Sequence, residues 1–143
     1  MGRALHLFGA LRQEVLAEHQ RIQRCGAALA RIDALAALAE VAAAHRYQRP
    51  RLNESGVIHL EDARHPVVER MLRGERFVPN TIHLDDQAEQ VLIITGPNMA
   101  GKSTVLRQVA LAVIMAQMGG FVPAAAAEIA VTDRIFTRSM PAS

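Results

Sequence analysis

Apolar residues recur at alternating steps of three and four from Phe8 through Leu11, Val15, Ile22, Cys25, Leu29, Ile32, Ala36 and Ala39 to Ala43. This is the seam of a long helix running to about Tyr47, with Glu18 as the one polar residue on the stripe. Such a seam packs lengthwise on another helix. No second helix of matching length is evident, so its partner is expected outside the chain. Gly26 is the expected place for a bend or break. Pro50 ends the helical zone, because proline disfavours helix in the residue before it. Beyond it the apolar runs shorten. Residues 57–60, 82–84, 121–122, 128–131 and 135–137 are candidate strands, 53–56 a turn and 70–76 a charged loop. Residues 90–95, Gln-Val-Leu-Ile-Ile-Thr, have the β-branched character of a buried parallel strand. Residues 104–118 predict a buried helix, with Val105, Leu106, Val109, Ala110, Val113 and Ile114 apolar on most sides. Gly119 and Gly120 supply its C-cap.

Between that strand and that helix, residues 96–103 read Gly-Pro-Asn-Met-Ala-Gly-Lys-Ser. Gly-x-x-x-x-Gly-Lys-[Ser/Thr] is the phosphate-binding loop pattern, and a random chain of this length shows it about once in 200. Each part has a physical task. The glycines let the backbone turn tightly, successive N–H groups form an anion nest, and the helix N-terminus adds its positive dipole end. Lys102 reaches the β- and γ-phosphates, and Ser103 holds a Mg²⁺ ion. Strand, glycine loop and helix together predict an α/β P-loop fold.

The 143 residues suffice for one ordinary domain, and 50% hydrophobic with 21% charged residues marks the chain as globular. Aromatics are 3% with no Trp, so the core is aliphatic and a base-stacking platform for nucleic acid is disfavoured. A net charge of +2 is too small to argue nucleic-acid binding by itself. Cys25 is the sole cysteine, which excludes an intramolecular disulfide. No apolar run approaches the ~20 residues of a membrane span, and His6 interrupts an already brief N-terminal apolar stretch. A cytoplasmic protein without a membrane partner is expected. The six histidines show no pair at metal-ligand spacing.

Thr95-Gly96-Pro97-Asn98-Met99-Ala100-Gly101-Lys102-Ser103-Thr104 resembles the nucleotide-binding loop of the MutS family of DNA mismatch-repair proteins, which carries Pro-Asn-Met between its glycines. Arg64-His65-Pro66, Phe77-Val78-Pro79-Asn80, Leu106-Arg107-Gln108-Val109-Ala110, Gly120-Phe121-Val122-Pro123-Ala124 and Asp133-Arg134-Ile135-Phe136-Thr137-Arg138 are similar to family segments. The resemblance implies two parts. Residues 1–48 would be the end of a helical core and lever, and residues 49–143 the N-terminal part of an ABC-type P-loop ATPase domain. It implies ATP and Mg²⁺ as cofactors. Gly96, Pro97, Asn98, Met99, Ala100, Gly101, Lys102, Ser103 and Thr104 would bind nucleotide, with Asn98 near a phosphate or the attacking water. Phe77 would stack on adenine with Val78 beside it. The implied partners are mispaired double-stranded DNA, bound through domains absent here, a second copy in a homodimer, and downstream repair factors. The alternatives are another ABC-type DNA-maintenance ATPase and an inactive remnant.

The family's Walker B strand, signature loop, switch histidine and dimerisation segment are expected beyond Arg138, where the chain instead reads Ser139-Met140-Pro141-Ala142-Ser143. A partial sequence or truncated gene with negligible turnover is therefore expected, and no catalytic residue is assigned. Asp85-Asp86 and Asp133 follow short apolar runs and imitate a Walker B ending, but the resemblance disfavours both. Glu128 and Asp133 are expected at surfaces or turns, and His65 in a structural role beside a proline.

Overall fold

The computed structural model describes residues 2–72, 74, 76–97 and 101–137. Its contacts divide the chain into two units, Met1–Ala37 and Leu38–Ser143. The first holds helix α1 (Gly2–Ala17) and the beginning of α2 (His19–His45). The helical run therefore does not break at Gly26, where a single glycine costs only ~1 kcal/mol against alanine. It is interrupted at Glu18, whose N–H bonds to the carbonyl of Val15, one residue short of helical spacing. The His19 ring contacts the Leu16 carbonyl at 2.7 Å and competes with the helical ladder there. Phe8, Leu11, Val15, Ile22, Leu29 and Ile32 are all exposed, and no described residue covers the stripe.

The second unit is a mixed α/β layer. Strands β1 (Arg51–Asn53), β2 (Ile58–Ala63), β3 (Asn80–Leu84) and β4 (Ala126–Ala130) form one sheet in the order β1-β4-β2-β3. β1 runs parallel to β4, and β2 is antiparallel to both β3 and β4. Helices α3 (Pro66–Met71) and α4 (Lys102–Gln117) complete it. Period-two alternation sorts the sheet's faces. Leu60 stands opposite Ile82 and Ala127, and these belong to the face that joins the core. His59 stands opposite His83 and Glu128 on the other face. Ala112, Val113 and Ala116 of α4 pack with Leu60, Ile82, Val122 and Ile129 into one buried cluster. The small alanines let the helix approach the sheet closely.

Two sequence expectations fail here for the same reason. Residues 90–95 form no strand, and Val91 and Ile93 are 80% and 81% exposed. A parallel strand is stabilised by neighbours on its edges, and no described strand pairs with this one. Residues 135–137 likewise pair with nothing described. The pair 121–122 contributes one bridge, Gln48 to Val122. Helix α4 is buried along one stripe only, since Leu106 and Ile114 are exposed. Its end is as expected: Gly119, at φ +88°, bonds to the Ala116 carbonyl and Gly120 to that of Met115, a Schellman closure.

The charged loop expected from residue 70 begins only after residue 71, because residues 66–71 are helical. Pro66 occupies the first helical position, where its missing N–H costs nothing. His65 caps the helix, its Nδ1 accepting from the N–H groups of Val67 and Val68 at 3.3 Å each. The His65 ring is buried, and burial is the main cause holding its pKa below the ordinary value, with Arg107 adding to it. A lowered folded pKa means the fold prefers the neutral ring. This contribution is complete above pH ~6.5 and is lost as the pH falls through the folded pKa. Wild-type melting temperature should therefore fall as the pH drops from 7 to 5. His65→Asn keeps a cap that does not titrate and should flatten that slope; thermal melts of both proteins across the range decide it.

Candidate functional site

The glycine loop joins residue 95 to α4. Gly96 has φ +151° and Gly101 φ +88°, ψ 7°. A side chain at Gly101 would be strained in that left-handed conformation. Gly101 is the N-cap of α4, and among the described residues no side chain caps the helix. Its first N–H groups therefore have no side-chain partner among the described residues, at the positive end of the helix dipole. Lys102 is the first helical residue, and its Nζ donates to the Gly96 carbonyl at 2.6 Å. The ammonium is thereby folded back across the loop, from its last glycine to its first. Ser103 is exposed and Thr104 half-buried on the same turn. Pro97 is exposed, while Asn98, Met99 and Ala100 lie outside the described residues.

Phe77 and Val78 stand before β3. Phe77 is half-buried and lines a cavity with Arg46, Arg64, Glu69 and Arg76, whereas Val78 is exposed. No described loop residue lines that cavity. The two surfaces are linked instead through Asn80, whose Nδ2 lies 3.5 Å from the Oε1 of Gln108 in α4.

Residues 92–142 match the MutS domain V family. The chain is 54% identical over 132 residues to the DNA mismatch repair protein MutS of Desulforapulum autotrophicum, covering 92% of this chain and 15% of that protein. Identity to MutS of Symbiobacterium thermophilum is also 54%, over the same shares of each chain. With MutS of Desulfosudis oleivorans it is 64% over 107 residues, 75% of this chain and 12% of the relative. The chain belongs to the MutS family. It spans about 15% of the length of the first two relatives.

The MutS-like Arg-His-Pro segment proves to be a joint. Beside the His65 cap, Arg64 Nη1 pairs with Glu69 Oε1 at 2.6 Å, and Nη2 donates to the carbonyls of His45 and Arg46 at 3.3 and 3.1 Å. One guanidinium thus caps the C-terminal end of α2, where the dipole favours a cation, and fixes α3 to it. Its charge also lies 6.0 Å from the centroid of the Tyr47 ring. Sequence reasoning did not assign Arg64 this role, because two of its three partners are main-chain carbonyls at the end of α2.

Asp85 is occupied by its own turn. Its Oδ1 accepts from the N–H groups of Gln87, Ala88 and Glu89 at 2.8, 2.5 and 3.1 Å. These bonds, that of Ala88 first, hold its carboxyl at about 2. Asp133 is exposed. His59 and His83 meet across β2 and β3 with ring centroids 5.4 Å apart, a pairing that sequence spacing could not show. No group of three metal-ligating side chains occurs among the described residues. Among those residues no helix is long and apolar enough to cross a membrane.

Proposed function

We propose that the chain binds ATP with Mg²⁺ at residues 96–104 and is part of an ABC-type P-loop ATPase in a cytoplasmic DNA mismatch-repair protein. That protein would act as a homodimer on mispaired double-stranded DNA held by its other parts. ATP binding and hydrolysis would signal to downstream repair factors. The observation that carries the reading is the closed lysine. Lys102 reaches across the loop to Gly96 at the head of an uncapped helix. In binding, Lys102 exchanges the Gly96 carbonyl for phosphate oxygens, and the open N–H groups of α4 receive the same charge. Phe77 offers its ring to the base, with Val78 beside it. Ser103, exposed one residue into α4, fits a hydroxyl ligand for Mg²⁺, an ion that neutralises charge developing between the β- and γ-phosphates.

A second reading, nucleotide binding without turnover, is favoured by the exposure of Val91 and Ile93. A loop that follows a segment with no strand partner among the described residues can cradle phosphate without the rigid sheet edge that positions an attacking water.

Thermal unfolding with Mg·ATP tests the proposal. The melting temperature should rise with ligand concentration, by the equivalent of about 2.7 kcal/mol at a hundredfold excess over Kd. No shift at millimolar Mg·ATP would sink it.

A further inference from the structure

The buried stripe of α4 runs Val105, Gln108, Val109, Ala112, Val113, Ala116. Gln108 is its one polar member and is 0% exposed. Aliphatic side chains serve the rest of the stripe, and an amide in a core is retained at a cost unless its groups are paired. Its Oε1 accepts from Asn80 Nδ2 at 3.5 Å, while its Nε2 is buried with no partner among the described residues. Asn80 Nδ2 also donates to the Val78 carbonyl at 3.4 Å. The Gln108 amide therefore stands where the Phe77-Val78-Pro79 segment meets the phosphate-loop helix. It is six residues from Lys102, ~9 Å along the axis.

We infer that Gln108 is a positioning residue for the nucleobase. Its carboxamide locks Asn80, and through Asn80 the segment bearing Phe77, at a fixed distance from the loop. The inference rests on the nucleotide reading above and adds to it a division of labour: Lys102 serves the phosphates, and Gln108 serves the base without touching it.

Calorimetric titration of the full chain with ATP and with tripolyphosphate, both with Mg²⁺, tests this. Gln108→Leu keeps the volume and removes the orphan amide. It should weaken ATP about tenfold, the worth of about one hydrogen bond, and leave tripolyphosphate within about twofold. Asn80→Ala, which spares the core, should give the same split if Gln108→Leu fails to fold. Lys102→Ala should lose both ligands. Equal weakening of ATP and tripolyphosphate would reduce Gln108 to a packing residue, and unchanged ATP affinity would leave it idle; either overturns the inference. If the wild type binds neither ligand, the nucleotide reading falls and the positioning role falls with it. Loss in Lys102→Ala alone would keep the former and discard the latter.

Discussion

Lys102→Ala is expected to weaken Mg·ATP by at least a hundredfold while leaving the fold almost untouched. The Nζ makes one hydrogen bond, to the Gly96 carbonyl at a solvent-exposed position. Such a bond is worth ~1 kcal/mol or less to stability. In the nucleotide complex the same ammonium would meet two phosphate oxygens. Charge-assisted bonds are worth ~1.5–3 kcal/mol each. Two of them make ~3 kcal/mol or more, and each 1.4 kcal/mol is a factor of ten. Lys102→Arg should not restore affinity, because a planar guanidinium cannot place a point charge inside a loop shaped for an ammonium. Melting curves give both readings. The ligand-free melting temperature should move by a few degrees at most, and the ATP-dependent rise should vanish. An undiminished rise in the alanine variant would remove Lys102, and with it the loop, from the site.

The loop is legible in sequence because its parts are local. Gly101 sits at φ +88°, a conformation that glycine tolerates, and Lys102 follows it as the first helical residue. Helix α4, strands β2, β3 and β4, and the Gly119 ending also lie close to where the apolar pattern puts them, since one buried face imposes one period. What depends on partners is less legible. Residues 90–95 have a strand's composition, yet no described strand pairs with them. β1 is a three-residue strand that exists through its parallel pairing with the distant β4, in which Arg51 stands opposite Glu128 and Asn53 opposite Ala130. Its Arg-Leu-Asn sequence carries no strand signal. Helix α3 did carry one, a cap residue followed by proline, but histidine is an unusual cap and the charges after it resemble a loop. Glu18 rather than Gly26 interrupts the first helical run, since a glycine inside a helix is tolerated more often than it breaks it.

The site shows the same division. Spacing is enough to put forward residues 96–104 as the proposed site, but it cannot show that an amide two turns into α4 meets Asn80, because that contact joins residues 28 apart. A polar residue interrupting the otherwise apolar buried stripe of α4 was the available signal. The Phe77 cavity was equally hidden, for Arg46, Arg64 and Glu69 reach it from α2's end, the Arg-His-Pro joint and α3.

The largest loss of stability is expected from Leu60→Ala. Leu60 is 0% exposed at the centre of β2, paired with Ile82 on one side and Ala127 on the other. It belongs to the cluster with Val113 and Ala116 of α4, so its side chain joins sheet to helix. Truncation leaves a cavity that neighbours on two strands and a helix cannot all close, and buried Leu→Ala changes cost ~2–5 kcal/mol. For a unit this small, each kcal/mol moves the melting temperature by ~4–8 °C, so a fall of ~10–30 °C is expected. Total stabilities of ~5–15 kcal/mol leave such a variant near the edge of folding at 37 °C. Leu52→Ala is the matched control, the same substitution in β1, where the side chain is 48% exposed. It should cost under ~1 kcal/mol, as surface changes do. Paired urea titrations of the two variants measure the difference directly. Equal midpoints would mean that the sheet–helix cluster around Leu60 does not hold the second unit together.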